Sequence, residues 1–287
     1  MPKSWVWLVA MLFATLSAAT QAQVAASESW RLHSVRPAPW AQATGPAGAG
    51  PLPPAEWRVD AQGMSGPTPL TCSAARHRFL RLPAEHLFEG NLPVPATLSA
   101  QQLGLPAGPL ITQRIACNSG SFDFHRDAAD QAWLGLDNRV LRFERVASVS
   151  SPTATVQALL LAHFAADMAL THGSVAAKSA WLSLALQQRL DRWLKLPPSP
   201  DEVPALNGDP FTDSQEPPLA FELAAAEILA ASAEVTIRFE FAGDQSGKLA
   251  SAPTRNVVML LTNTNGDWRI DDLRYADGSR LSQLLGL

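Results

Sequence analysis

A polar loop at residues 207–218, NGDPFTDSQEPP, holds the densest set of side chains that could do chemistry. Its functional groups are three carboxylates, an amide and an aromatic ring: Asp209, Asp213, Glu216, Gln215 and Phe211. A carboxylate in an apolar pocket can acquire a raised pKa and act as a general base. The aspartates can instead cap turns by accepting hydrogen bonds from main-chain N–H groups, with the phenylalanine in the core. We favour this second interpretation, a structured connector that also borders a pocket.

A second group of candidates lies near the C-terminus, where Trp268 is followed by the pair Asp271 and Asp272. Adjacent residues of a strand point to opposite faces, so one aspartate can face a pocket and act as a base. We therefore add Trp268 and Asp272 to the candidate pocket or recognition residues of the loop. The alternative, which we favour, is one exposed aspartate and one hydrogen-bonded aspartate beside a hairpin.

The stretch SGSFDFHRDAAD at residues 119–130 is the other dense polar segment. Asp123, His125 and Arg126 form a candidate polar site, because histidine titrates near neutral pH and can act as an acid or base. No nucleophile or orienting carboxylate can be assigned to this histidine from the sequence. We therefore predict a polar site and no catalytic residue.

Metal, nucleotide and nucleic-acid chemistry receive little support from the sequence. The remaining histidines are scattered, and His163 and His172 are nine residues apart, which places them on opposite faces of one helix. No His-Glu-x-x-His motif, phosphate loop or glycine-flanked nucleophilic serine is present. The net charge is −4 and no basic run occurs, which argues against a nucleic-acid partner. We predict no metal and no cofactor.

The N-terminus and the cysteines predict export. Residues 1–22 combine one lysine, an uncharged run of about 15 residues and a small-residue end, the layout of a secretory signal peptide. We expect no stable membrane anchor after its removal; an uncleaved anchor is the alternative. Cys72 and Cys117 are the only cysteines, and an exported chain is oxidised, so we predict a disulfide between them rather than two buried thiols.

The distribution of apolar residues predicts two small domains. Segments of alternating residues with hairpin turns, at Asn118–Gly120 and at Asp137–Asn138, predict a small β-rich domain. Two apolar stripes at helical spacing follow, and alternating strands end the chain. The predicted segments are a signal peptide, a Pro/Ala/Gly-rich connector, the β-rich domain, a linker and an α+β domain, at residues 1–22, 23–56, 57–146, 147–152 and 153–287.

The order of elements in the last segment is that of an α+β cone, in which a curved antiparallel sheet wraps around N-terminal helices. Residues 153–287 resemble the nuclear-transport-factor-2-like (NTF2-like) superfamily, and within it the bacterial family of domains of unknown function numbered 3828. The resemblance rests on the helical start at 156–170, on DPFTDSQE at 209–216 and on the ending GDWRIDDLRYADGSRLSQLL. It implies an α+β fold with an NTF2-like cone and an exported setting, and no established activity. For residues 57–146 we recognise no family.

These observations favour an exported bacterial protein that is a non-catalytic binding or interaction module of the periplasm. Its expected partner is another protein, for which it would be an inhibitor or immunity-type module, or a small apolar ligand in the cone. The alternative is a small-molecule-binding protein or a lyase- or isomerase-type enzyme that uses an aspartate of the cone pocket. Superfamily enzymes use a pocket Asp or His.

Overall fold

The computed structural model describes residues 27–41, 56–60, 63–118, 120–196, 206, 208–242 and 253–286. The predicted signal peptide and most of the predicted connector lie outside these residues.

Fourteen β-strands are present in the described part of the chain. Those of the first half are β1 (Glu28–Pro37), β2 (Glu56–Asp60), β3 (Gly63–Ser65), β4 (Cys72–Ser73), β5 (Arg76–Leu82), β6 (Leu110–Cys117), β7 (Gly120–Arg126), β8 (Gln131–Leu136) and β9 (Arg139–Ser148). Those of the second half are β10 (Ala220–Leu223), β11 (Glu227–Leu229), β12 (Ser232–Glu240), β13 (Thr254–Thr264) and β14 (Asp267–Arg274). The helices are α1 (Ala96–Gln102), α2 (Pro152–Ala165), α3 (His172–Ala177), α4 (Leu184–Trp193) and α5 (Leu281–Leu284), and a kinked 3₁₀ segment spans Ala84–Gly90.

All the strands belong to one antiparallel sheet in the order β14-β13-β12-β10-β5-β6-β7-β8-β9-β1-β2-β3-β4, with β11 paired to β12. The pairing of β10 with β5 joins the two halves of the chain. The predicted fold class, a small β-rich domain followed by an NTF2-like cone, is therefore wrong. The strands after α4 complete a sheet begun by the first half instead of forming a separate cone around the helices.

The sheet has an inner face that carries two of the three apolar cores. In the first half, Trp30, Trp57, Phe124 and Phe143 pack together, with the rings of Trp57 and Phe124 stacked at a centroid distance of 4.0 Å. In the second half, α2 and α4 pack on β10, β12, β13 and β14. The third core lies on the outer face, where the 3₁₀ segment and α1 cover β6, β8 and β9.

Part of the segment predicted as a connector, residues 23–56, forms a strand within this sheet. β1 lies between β9 and β2, and Trp30 on β1 is almost fully buried. Trp40 packs against Phe88 at a centroid distance of 5.2 Å. Apolar residues are sparse in β1, and its pairing with β9 contains two register shifts, so its alternation is hard to read from sequence.

The predicted disulfide between Cys72 and Cys117 is confirmed and ties β4 to the end of β6. The two cysteines are 45 residues apart in sequence. On the loop-entropy model, closing a loop of this length stabilises the fold by about 4 kcal/mol. The bond therefore holds the short last strand of the sheet against its interior.

A serine and a proline mark the start of the first long helix. Ser151 is the N-cap of α2: its Oγ accepts a hydrogen bond from the N–H of Ala154 at 3.1 Å, and Pro152 occupies the first helical position.

We expect Ser151→Ala to lower the free energy of unfolding by about 1 kcal/mol, because the Ala154 N–H loses its acceptor. Denaturant unfolding at equilibrium measures the change. Ser150→Ala is the control, because the Ser150 hydroxyl is exposed and donates to the Gly266 carbonyl at 3.2 Å. An S151A variant as stable as S150A would contradict the capping role.

Candidate functional site

A cleft opens in the sheet where β5 and β10 separate. β5 pairs with β6 along Arg76–Leu82, and β10 pairs with β12 along Ala220–Leu223. Between β5 and β10 only Phe79–Phe221 and Leu80–Ala220 are paired. The stacked rings of Phe79 and Phe221, 4.8 Å apart, close the narrow end of the cleft.

The cleft has a volume of about 650 Å³. One wall is the start of β5 at residues 75–78, and the other is the chain at residues 222–226, with three consecutive alanines. The floor is polar and is formed by Glu28 of β1, Gln113 of β6 and Gln157 of α2. The site therefore combines one alanine-rich wall and one wall with basic side chains with buried amides and a carboxylate on the floor.

The floor is built around an ion pair that is almost completely buried. Arg126 Nη1 and Nη2 donate to the two carboxylate oxygens of Glu28 at 3.0 and 2.9 Å, and the guanidinium lies 4.8 Å from the centroid of the Trp30 ring. Arg145 Nη1 and Gln157 Nε2 also donate to Glu28 Oε1, at 3.4 and 3.2 Å. Glu28 thus joins β1, β7, β9 and α2 beneath the cleft.

The charge of Glu28 is maintained by these partners. Burial alone would raise the pKa of its carboxyl, but the charges and hydrogen bonds of Arg126 and Arg145 outweigh burial and hold the pKa below its usual value. Glu28 is therefore an ionised structural acceptor at neutral pH and a poor general base.

The network also fixes the orientation of His77. Gln113 Oε1 accepts from Arg126 Nη1 at 2.8 Å, so Gln113 Nε2 faces His77 Nδ1 at 3.2 Å and must donate to it. The proton of the neutral ring is then on Nε2. Burial lowers the pKa of His77 and outweighs the opposing effects of Asp60 and Glu28. The ring is therefore a neutral hydrogen-bonding group at neutral pH.

The candidate loop residues do not line this cleft. Asp209 is buried: its Oδ2 accepts from the N–H and Oγ1 of Thr212 at 3.0 and 2.7 Å, and its Oδ1 lies 3.0 Å from Nε2 of the buried His163. Phe211 is fully buried and contacts the His163 ring edge-on at 4.9 Å. Asp209 and Phe211 thus anchor the loop to α2, as the structural interpretation predicts.

The other loop residues lie at the surface. Asp213 pairs with Arg255 at 3.3 Å, and partial burial raises the pKa of its carboxyl despite that arginine. Gln215 and Glu216 are exposed, and the main-chain N–H of Glu216 donates to Ser214 Oγ. None of the three contributes to the cleft between β5 and β10.

The C-terminal candidates also have structural contacts. Asp272 is buried and accepts hydrogen bonds from Ser282 N–H and Oγ at 3.0 and 2.6 Å, at the first turn of α5. Trp268 is half-buried against the core that α2 and α4 form on the second half of the sheet. A β-bulge lies at Asp271, because Asp272 and Ile270 oppose consecutive residues of β13.

The structure places the three residues of the first-half polar site on two faces of β7. Asp123 and His125 lie on the outer face and Arg126 on the inner face. Asp123 accepts two hydrogen bonds from Arg114, at 2.7 and 2.6 Å. His125 Nε2 accepts from Phe88 N–H at 2.9 Å, so its Nδ1 donates to Thr112 Oγ1 at 2.8 Å. Of the three residues, only Arg126 contacts residues of the cleft floor, Glu28 and Gln113.

Burial lowers the pKa of His125 to about 4 from an ordinary value of 6.5. Below pH 6.5 the unfolded chain binds a proton that the folded chain rejects, so stability falls as the pH decreases toward about 4. We expect a loss of about 3 kcal/mol over this range, at about 1.4 kcal/mol per pH unit.

The corresponding variant is His125→Gln, which does not titrate and should lack this part of the pH dependence. Urea unfolding across the pH range measures it. His33→Gln is the control, because His33 is 44% exposed and pairs with Glu144 at the surface. Equal acid sensitivity of H125Q and the wild-type chain would contradict the assignment.

Sequence reasoning missed the residues of the cleft floor. Glu28 lies in the predicted connector, and Gln113 and Gln157 are isolated amides in otherwise apolar elements. The sequence does show one sign of the floor, a polar residue at an inward position of a strand. Gln113 lies on the same face of β6 as the apolar residues Ile111 and Ile115. This signal shows a buried polar group without showing which other elements supply its partners.

Comparison with known proteins gives no relative. No family model, no curated protein and no solved structure matches the chain. The resemblance to the family numbered 3828 therefore stays a prediction. In the described part of the chain, no helix is long and apolar enough to cross a membrane, and no group of three or more His, Cys, Asp and Glu side chains could hold a metal ion.

Proposed function

We propose that this chain is an exported, non-catalytic binding protein whose ligand occupies the cleft between β5 and β10. The observation that carries the proposal is the combination of a 650 Å³ cleft with convergent buried polar groups on its floor. Ligand sites of proteins are typically clefts of about 300–1,000 Å³, mostly apolar, with a few fixed polar groups. The alanine-rich wall and the Glu28–Gln113–Gln157 floor fit this description.

The state of the titratable groups Glu28 and His77, which line the cleft, favours binding over reaction. Glu28 is held ionised by two arginines, and His77 is neutral with Nδ1 engaged by Gln113. A general base needs an available lone pair and a pKa near the working pH. The lining groups are better suited to orient a ligand by hydrogen bonds than to transfer protons.

An exported setting is part of the proposal. The N-terminal sequence has the layout of a signal peptide, and a disulfide joins Cys72 and Cys117. Disulfides persist in oxidising compartments, such as the bacterial periplasm. The ligand is therefore expected among the proteins and small molecules of the cell envelope.

The test is native mass spectrometry of the chain purified gently from the envelope of its own host. Three forms are compared: the wild-type chain, Ala225→Trp, and Ala128→Trp. Ala225 is exposed on the cleft wall, and Ala128 is exposed in the β7–β8 turn. We expect a bound mass with the wild-type and A128W chains that A225W lacks. Bare masses for all three, or a bound mass that A225W retains, would contradict the proposal.

A further inference from the structure

The two walls of the cleft carry main-chain groups that the sheet leaves unpaired. In an antiparallel sheet, alternate residues direct both N–H and C=O toward the same neighbouring strand. The Arg81 N–H donates to the Leu219 carbonyl, so Arg81, Phe79 and His77 direct these groups toward β10. Pairing of β5 with β10 ends at Phe79, and His77 is therefore the first residue whose main-chain groups face the cleft.

The opposite wall has the same property. The Ala224 N–H donates to the Thr236 carbonyl, so Ala224 and Glu222 direct their main-chain groups toward β12. Leu223 lies between them and directs its N–H and C=O toward β5, beyond the last pair at Phe221. Leu223 would be the hydrogen-bonded partner of His77 if the sheet were closed. Both walls thus end in strand edges that point into one cleft.

We propose that the ligand of the cleft is an extended peptide segment of another protein, bound as a strand between β5 and β10. This inference rests on the proposed function and names its ligand class. A peptide main chain presents N–H and C=O groups on both edges, which matches the two unpaired walls. A sheet edge with unpaired N–H and C=O groups is a template for such pairing.

The side chains around the cleft fit this occupant. Ala75, Ala116, Ala224, Ala225 and Ala226 line it and allow close approach of a main chain. Successive side chains of an inserted strand alternate between the two faces of the sheet. The inward side chains would meet the floor formed by Glu28, Gln113 and Gln157. This polar floor favours peptide side chains with hydroxyl or amide groups. The outward ones would lie near Arg76, Arg78 and Glu222, whose mixed charges tolerate a solvated residue.

The test uses a library of hexapeptides with random sequences, acetylated at the N-terminus and amidated at the C-terminus. The full chain is immobilised, and retained peptides are identified by mass spectrometry. We expect retention by the wild-type and A128W chains, and at least about tenfold weaker binding by A225W. If A225W does not fold, Ala224→Trp replaces it, since Ala224 is exposed on the same wall.

Two further readouts identify the binding mode. A retained peptide is resynthesised with alternate amides N-methylated, in both phases. The phase that removes the donors facing the walls should weaken binding about tenfold or more, and the other phase less. The amide hydrogens of His77 and Leu223 should exchange more slowly in the complex, while those in the β7–β8 turn are unchanged.

The outcomes separate this inference from the proposed function. Peptides retained equally by A225W, or insensitive to N-methylation, overturn strand insertion. No retained peptide together with an A225W-sensitive small molecule in the native spectrum overturns the peptide class and leaves a binding cleft. An A225W-sensitive dimer assigns the cleft to a second copy of this chain and also overturns the inference. If no peptide is retained and no bound mass is seen in the native spectrum, both proposals are contradicted.

Discussion

Replacing Glu28 by glutamine is expected to lower the free energy of unfolding by about 3–5 kcal/mol, because it leaves one partner of a buried ion pair without its counter-charge. Arg126 is 3% exposed and cannot move its charge into water. It would keep its contacts with Gln113 Oε1 and the Trp30 ring, but neither carries a negative charge. Denaturant unfolding measures the loss, and thermal unfolding should show a decrease of about 6–20 °C.

The matched control is Glu56→Gln on the adjacent strand β2. Glu56 pairs with Arg31 at 3.8 Å, and both side chains are more than 60% exposed. Pairs of this kind contribute little, so we expect a change within about 0.5 kcal/mol. If E28Q lowers the free energy of unfolding no more than E56Q does, the buried network under the cleft does not stabilise the fold.

The pH dependence gives a second readout of E28Q. The folded-state pKa of Glu28 lies below its ordinary value of 4.5. The stability that its charge contributes is therefore fully present above about pH 4.5 and is lost as the pH falls through the folded-state value. The difference in stability between the wild-type chain and E28Q should narrow below pH 4.5. A constant difference down to about pH 3 would assign the effect to shape and not to charge.

Local features of the fold were predictable from local sequence. The turns at Asp137–Asn138 and Asn265–Gly266 have positive φ angles at both residues, the conformation that hairpins with these residues require. Ser151 and Pro152 mark the start of α2, and the slip in apolar phase at Asp271 marks a bulge. In each case the residues that determine the feature lie within a few positions of one another.

The pairing of distant strand edges was not predictable in this way. Alternation in β12, with Val235, Ile237 and Phe239 buried, fixes which face is apolar and leaves open which strand lies beside it. Two helical stripes followed by strands are compatible with a separate cone and with the extension of an existing sheet. The choice depends on the contact between β5 and β10, which are more than 130 positions apart in the chain.

The candidate site was missed for the same reason. The loop at 207–218 has the densest set of reactive side chains, yet Asp209 caps a turn and contacts a buried histidine, and Asp213 forms a surface ion pair. The cleft is a property of two strands that separate, and its floor is assembled from three distant elements by Glu28, Gln113 and Gln157. Single amides in apolar segments carry no local signal of a shared site. A dense polar motif is accordingly weaker grounds for a site than a polar residue at an inward position.

Replacing Asp209 by alanine is expected to lower the free energy of unfolding by about 3–5 kcal/mol, because several buried groups lose their partner together. The N–H and Oγ1 of Thr212 would lose their common acceptor, and His163 would lose the carboxylate 3.0 Å from its Nε2. No water can reach the fully buried His163 ring without opening the packing against Phe211. Equilibrium unfolding in denaturant measures the effect.

Asp191→Ala is the matched control, because the chain contains an exposed counterpart of the same contact. Asp191 Oδ1 lies 3.0 Å from His172 Nδ1, the same separation as in the buried pair, but the two side chains are 44% and 52% exposed. Water solvates both groups there, so we expect a change within about 1 kcal/mol. A structural role also predicts that D209A, while folded, binds the cleft ligand as the wild-type chain does. Loss of ligand binding by D209A without loss of stability would instead assign a functional role to the loop at 207–218, because a purely structural Asp209 should affect stability first.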